Sequence, residues 1–439
     1  MPSLFKVVSP GMKEINYRLL LIAAVIPMLG YHTTAVFFRD QHPAATNVWL
    51  FVVVFLTLGY ILGVIANQRW LRWAALITFI YSICVFFMAS VIIARWDENQ
   101  PLLPHDGAMQ IEAAAWELRE GRNPYAVNYA PSLASFVQIN NLAGKAIHNP
   151  VLNHLVYLPF HIILTLAARD LVYPWLGWFD LRLLHWGVFF SVLIVAHFSR
   201  PQPEWRQQLW LLLGIFNPLF FPYLLEGRGD ALVFALLLLG FLLLSRRSFI
   251  PAAVIFGLAF ATRQTVWFLF PFLSLYMIGL HRRGEITRLL LKKCALVFTL
   301  IFLAIMLPFF LWSPRDFVDD TLLYTIGAST VRYPINGFGL GTQLVTLGLI
   351  PSLSSYFPFW AIQLAVIIPL LILLLRWQKR VNTLERMLLA YAVWLFTFWI
   401  LSRFFHENYL GYITELLLLA WWWSADLDRQ VTQPYEPSD

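Results

Sequence analysis

ALVFALLLLGFLLLSRRSFIPAAVIFGLAFATRQ, running from Ala231 to Gln264, decides the fold class. Ala231 to Ser245 contains no charge and ends on the pair Arg246 and Arg247, and a second apolar arm, Ile250 to Ala261, ends on Arg263 and Gln264. A bilayer core of about 30 Å takes roughly 20 apolar residues per helix, so these arms read as a hydrophobic helical hairpin. Outward from it, Leu19–Phe38, Val48–Ala66, Trp73–Ala94, Leu183–Phe198 and Leu209–Leu225 repeat the pattern towards the amino terminus. Val266–Leu280, Ala295–Trp312, Phe357–Leu375, Met387–Leu401 and Leu410–Ala425 repeat it towards the carboxyl terminus. The alternating segments of a membrane barrel are absent. The expectation is an all-α polytopic membrane protein, a bundle of about 12 transmembrane helices (11 to 13) with amphipathic helix in one large outer loop.

Composition agrees. Of 439 residues, 59% are hydrophobic and 13% charged, too little charge to cover soluble domains of that size. Aromatics reach 17%, as a lipid-facing and interfacial surface requires. The net charge of +7 then reads as a cytoplasmic-loop bias, and nucleic acid is not an expected partner. Cys84 and Cys294 sit in apolar runs and form neither a disulfide nor a zinc pattern.

Orientation follows from Lys and Arg in short loops. Lys6, Lys13 and Arg18 place the amino terminus inside and precede a full-length span, which reads as a retained anchor. Arg69 and Arg72, Arg246 and Arg247, the cluster Arg282, Arg283, Arg288, Lys292 and Lys293, and the group Arg376, Lys379 and Arg380 also read as inside. All can be inside only if a thirteenth apolar run, Val151–Ala168 with Pro159 and His161, enters and returns without crossing. That gives 12 spans with both termini cytoplasmic in the plasma membrane. The organisation expected is three helices over 1–94, an extracytoplasmic loop over 95–150, the remaining bundle over 151–425 and a polar tail over 426–439.

The outer loop PHDGAMQIEAAAWELREGRNPYAVNY, Pro104 to Tyr129, predicts a helix over Gly107–Glu120 stopped by Gly121. Asp106 stands at its start, either as a helix cap or as a fixed carboxylate available as a general base. Glu112, Glu117 and Glu120 read as a solvated face. Glu226, Arg228 and Asp230 crowd a short turn between two apolar runs, where they serve either as an interfacial anchor or as a polar site. Arg263 and Gln264 break a helical pair at its outer end. A sunken arginine there suits an anionic ligand such as phosphate, or else pairs with Asp230 or Glu226. Arg332 follows the long loop after Trp312, and Arg403, His406, Glu407 and Tyr409 cap the last outer turn. Apart from Glu415 in the last run, no span carries an Asp, Glu or Lys of the kind that marks ion-coupled transport.

The order of these motifs resembles the GT-C superfamily of membrane glycosyltransferases, nearest to bacterial glycosyltransferase family 87 and its mannosyltransferase-like relatives. The resemblance covers roughly Arg95 to Ala425. It rests on Asp106 followed by Ala114, Gly121, Asn123, Pro124 and Tyr125, on the turn and span Gly227–Arg247, on the break Gly257–Phe272, and on the late turn His406–Tyr409. Two extra helices precede the acidic loop, Gln110 stands where the family often has Tyr, and Arg263 stands where Lys is commoner. The resemblance implies transfer of a sugar, hexosyl or mannosyl, from a polyprenyl-phosphate donor in the membrane lipid to a hydroxyl of a lipid, glycan or protein acceptor. It implies neither cofactor nor metal. An anionic phosphate leaving group needs cationic stabilisation, assigned to Arg263, Arg228 and Arg332. Asp106 would be the base in an inverting displacement, with Gln264, Asp230, Glu226, His406, Glu407 and Tyr409 orienting the substrates. The alternatives are an exporter of lipid-linked sugars, which needs no base, and a polysaccharide polymerase or ligase, which usually has a larger late loop.

Overall fold

The computed structural model of the chain describes residues 17–25, 43–96, 104–133, 138–140 and 146–424. Lys6, Lys13, the second half of the first expected span, the Cys84 side chain, Asp97, Glu98 and the tail from residue 425 lie outside the described residues. Most of those described are helical, with almost no strand. Four helices, Leu181–Phe198, Gln264–Arg282, Arg288–Trp312 and Phe359–Arg380, are long and apolar enough to cross a membrane. Shorter apolar helices include Phe51–Ile65, Asp230–Ser245 and Phe249–Phe260. The chain is therefore all-α, with the apolar helices of a membrane protein.

Contacts divide it into two units, 1–102 with 197–222, and 103–196 with 223–439. In the first, helices Pro43–Ile65 and Arg69–Trp96 form an antiparallel pair across a turn at Asn67. Arg69 and Arg72, expected only as orientation signals, both pair with Glu204, at 3.2 and 3.0 Å. Glu204 in turn accepts from Gln208 at 2.9 Å, and Gln208 accepts from the Tyr60 hydroxyl at 2.8 Å. The expected run Leu209–Leu225 is not one helix. It is helical over Glu204–Ile215, breaks at Asn217–Pro218, and resumes over Phe221–Leu225. Proline lacks the N–H a helix interior needs and disfavours helical geometry at the preceding residue.

The second unit carries the other motifs. Asp230–Ser245, Phe249–Phe260 and Arg288–Trp312 pack in sequence, while Phe359–Arg380, Leu384–Ile400 and Glu407–Trp423 form a second up-and-down set. Phe270–Arg282 and Glu407–Trp423 join the two sets, the first against Phe359–Arg380 and Leu384–Ile400, the second against Asp230–Ser245. The apolar run Val151–Ala168 folds as a 3-10 turn over Pro150–Asn153, an extended stretch, and a helix Pro159–Leu176 that begins at its proline. That helix lies against Asp106–Arg119 and is joined to it by the Arg119–Asp170 ion pair at 3.1 Å. Two small sheets complete the description: Gln138–Asn140 pairs antiparallel with Ala146–His148, and Asn336–Gly337 pairs parallel with Phe404–Phe405. The second sheet ties the loop after Trp312 to the last turn.

Candidate active site

Five segments converge at one end of the second unit: the start of Asp106–Arg119, the turn Glu226–Gly229, the break at Arg263–Gln264, the loop Ser313–Phe338 and the turn Arg403–His406. His105, not Asp106, is the N-cap residue, and its Nδ1 faces both the Gly107 N–H at 3.1 Å and the Asp106 carboxylate at 2.9 Å. Asp106 Oδ1 also accepts from Gly107 N at 2.7 Å and its Oδ2 from Asn149 Nδ2 at 3.1 Å. Burial opposes ionisation here. The adjacent His105, Asn149 and the backbone donor outweigh it and hold the carboxyl well below the ordinary carboxylate range.

The His105 N–H donates to Glu226 O at 2.8 Å, which docks the helix start onto the second motif. There Arg228 Nε donates to Glu226 at 2.8 Å, its Nη1 donates to Asn408 Oδ1 at 2.9 Å, and its guanidinium lies 4.6 Å over the Tyr223 ring. Asn408 Nδ2 donates to Asp230 Oδ2 at 2.7 Å, and Asp230 Oδ1 takes Arg263 Nη1. A chain of polar contacts therefore runs Glu226, Arg228, Asn408, Asp230, Arg263. The pairing of Arg263 with Asp230, open as an alternative in the sequence, is the one observed. The Arg263 plane also faces Tyr409 at 6.0 Å, and Tyr409 stacks on Trp399 at 4.5 Å.

The turn 227–229 needs its glycines. Gly227 has φ +81°, and a Cβ there would lie 2.7 Å from Arg182 Cγ; a Cβ on Gly229 would lie 2.5 Å from His161 Cε1. No side chain fits between the turn and the helices beneath it.

Not every candidate joins the network. Arg332 is exposed, lies 5.7 Å over Tyr356, and makes no contact with Arg228 or Arg263 among the described residues. Gln264 spends both amide hydrogens on backbone, donating to Val156 O and Thr321 O at 2.9 Å each, so it clamps two loops. Glu407 is exposed, one residue from the buried Asn408. His406 faces the Tyr333 hydroxyl at 3.3 Å, and burial with the nearby Arg228 charge lowers its pKa to about 4. Arg403 is 2% exposed and donates to the carbonyls of Tyr333, Ser355 and Leu353; burial, then Arg332, lowers its pKa to about 10. Glu112 and Glu117, expected on a solvated face, have partners: Glu112 accepts from Leu181 N at 2.7 Å, and Glu117 pairs with Arg122.

Asn408, Tyr157 and Tyr333 had no sequence signal of their own. Asn408 lies between two named candidates. Tyr157 has its hydroxyl over Gly107 and sits in the fields of Arg263, Asp106, Asp230 and Arg228. Tyr333 feels Tyr409, Asp106 and Arg228. Asn123, Pro124 and Tyr125 act as a dock: Asn123 caps the short turn, and the Tyr125 hydroxyl donates to Tyr157 O at 2.8 Å. Gln110 donates to Val151 O and His154 O at 2.7 and 3.0 Å, anchoring the same strand of chain. Among the described residues, His154, Asp319 and Asp320 are the group whose ligand atoms lie close enough to hold a metal. Each is already partnered within the protein: His154 Nδ1 with Asp320 at 2.9 Å, Asp320 also with Leu155 N, and Asp319 with the Ser329 hydroxyl. This group reads as a further clamp between the two loops. Comparison with known protein families, curated proteins and solved structures gives no match to this chain.

Proposed function

We propose that the chain is a membrane glycosyltransferase of the GT-C type, moving a sugar from a polyprenyl-phosphate donor to an acceptor hydroxyl, with inversion at the anomeric carbon. The observation that carries the reading is the junction of an ionised carboxylate, Asp106, to a two-arginine network through the His105–Glu226 backbone bond. In the proposed arrangement the chain crosses the membrane 12 times, both termini are cytoplasmic, and this end of the bundle faces outside. The acceptor hydroxyl approaches Asp106 while the donor phosphate lies at Arg228 and Arg263. The acceptor oxygen forms the new bond to the anomeric carbon, the old carbon–oxygen bond breaks, and its electron pair leaves on the phosphate. The proton passes to Asp106.

Two details sharpen this. An Asp held so far below the usual range is fully ionised but weakly basic, so it takes the proton late, once bond formation has made the hydroxyl acidic. The formal charges of Arg228 and Arg263 are matched by Glu226 and Asp230. Stabilisation of the leaving phosphate then comes from guanidinium donors and the helix starts at Asp230 and Glu407 rather than from excess positive charge. Arg332, exposed and apart, is left to an approaching headgroup.

The test is transfer of label from polyprenyl-phosphate mannose, glucose or arabinose to a membrane-lipid acceptor pool, by reconstituted wild type beside Asp106→Asn. The expected result is a labelled product with wild type and a loss of at least a hundredfold in the variant, with donor binding retained. Full transfer by Asp106→Asn removes the base from this residue. Donor binding without transfer across a wide acceptor panel favours the exporter instead.

A further inference from the structure

The opposite end of the second unit holds a cavity that the transferase reading does not use. The helices Asp230–Ser245, Phe270–Arg282 and Glu407–Trp423 start at or just after the polar network and end at this cavity, on the order of 20–25 Å away at 1.5 Å per residue. The ends of Phe359–Arg380 and the start of Leu384–Ile400 close it. Its volume is about 700 Å³. Five cations and two carboxylates, Glu285 and Glu385, line it. Arg247 and Arg283 share Glu285, whereas Arg282, Lys379 and Arg380 are exposed and have no carboxylate partner among the described residues. The wall also includes the buried ring of Trp423. Three unmatched cations around one cavity point to an acceptor-rich anion.

Basic residues at helix carboxyl ends are ordinary on two counts: they complement the helix dipole and they orient membrane proteins. Those effects account for cations at each helix end; they do not require that three cations from two helices line one cavity without carboxylate partners. The surface beside the cations says which anion fits. Ile278 is one turn before Arg282 on the same helix face, and Ile372 and Leu373 are two turns before Lys379 and Arg380 on theirs. All three are exposed, at 41, 47 and 61%. Each cation thus stands at the head of an apolar stripe leading along the bundle, the arrangement that holds a lipid phosphate with its chains lying on the helices.

We infer that this cavity binds the phosphate of an anionic phospholipid headgroup, through Arg282, Lys379 and Arg380. The inference rests on the membrane reading of the chain and stands apart from the transferase proposal. The experiment uses the full chain in detergent, titrated with phosphatidylglycerol or phosphatidylcholine and followed by native mass spectrometry of retained lipid and by thermal unfolding. Inorganic phosphate is titrated in parallel. Phosphatidylglycerol is expected to be retained and to raise the unfolding temperature, with no comparable effect of phosphatidylcholine or inorganic phosphate. The triple variant Arg282→Gln, Lys379→Gln, Arg380→Gln should lose at least tenfold in phosphatidylglycerol affinity. Arg288→Gln, Lys292→Gln, Lys293→Gln removes as much charge from a neighbouring helix end outside the cavity and should lose less than twofold. Equal losses in the two triple variants would reduce the effect to diffuse surface attraction and overturn the site. An equal response to inorganic phosphate would overturn the lipid as its occupant. Arg282→Gln alone, at an exposed position, gives the same readout if the triple variant does not fold, with about a threefold loss expected.

Discussion

At Glu407, Asn408 and Tyr409 a helix turns about 100° per residue, so three neighbours cannot share one direction. Glu407 faces solvent, Asn408 enters the network and Tyr409 stacks on Trp399. An amide suits the middle position because it donates to Asp230 and accepts from Arg228 at once, which neither a carboxylate nor an ammonium can do. Asn408→Ala leaves both partners short of a hydrogen bond at a cost of about 1–3 kcal/mol. Transfer should fall by about ten- to a hundredfold, with donor affinity weakened as well; unchanged transfer would remove Asn408 from the mechanism. Protonation states give a second expectation. Asp106 stays ionised and His406, titrating near 4, stays neutral across mildly acidic conditions, so neither group should put a step in the pH profile of transfer from about pH 7.5 to 5. Stability behaves differently. An unfolded His titrates near 6.5, so the unfolded chain takes up a proton that folded His406 refuses until about pH 4. Its contribution is complete above about 6.5 and is lost as the pH falls between those values. A pH titration of unfolding in wild type and His406→Phe should show the difference only there.

Among the elements, the loops around the site are held by side chain to backbone bonds more than by their own secondary structure. Gln264 joins the loop before Pro159 to the loop after Trp312, Gln110 joins the first to the Asp106 helix, and Tyr125 docks beside them. Gln264→Ala strands two partly buried carbonyls and should lower stability by about 1–3 kcal/mol. Thermal unfolding checks this, and an unchanged midpoint would mean that water replaces the amide at no cost. These bonds also explain what the sequence could show of the site. Asp106, Arg228, Asp230 and Arg263 stand out as charges bordering apolar runs. Tyr157, Asn149 and Gln110 do not, because a neutral polar residue in a loop has no pattern until its partner is known. Arg403 misleads in the other direction: its charge invites a ligand, and its donors are spent on backbone.

On the scale of the second unit, the polar network and the basic cavity occupy opposite ends of shared helices. If the chain crosses the membrane as proposed, the two ends face different compartments. In a cysteine-free background, Glu407→Cys should react with a membrane-impermeant thiol reagent from outside the cell. Lys379→Cys should react only after permeabilisation. Labelling of both from one side would sink the proposed topology. The apolar runs determined by themselves that the chain is helical and apolar enough for a membrane, because uninterrupted hydrophobicity over a helix length has few other solutions. They also marked many helix ends in the second unit to within a few residues, but Arg288–Trp312 and Phe359–Arg380 run on through the basic residues at their ends, and the run from Val151 becomes a helix only at Pro159. Only the tertiary structure decided that Leu209–Leu225 breaks at Pro218, that Arg263 belongs to Asp230, and that Asn408 bridges the two arginines. Each is a choice among partners far apart in the chain, and burial settles it by which donor and acceptor must be satisfied when water is excluded.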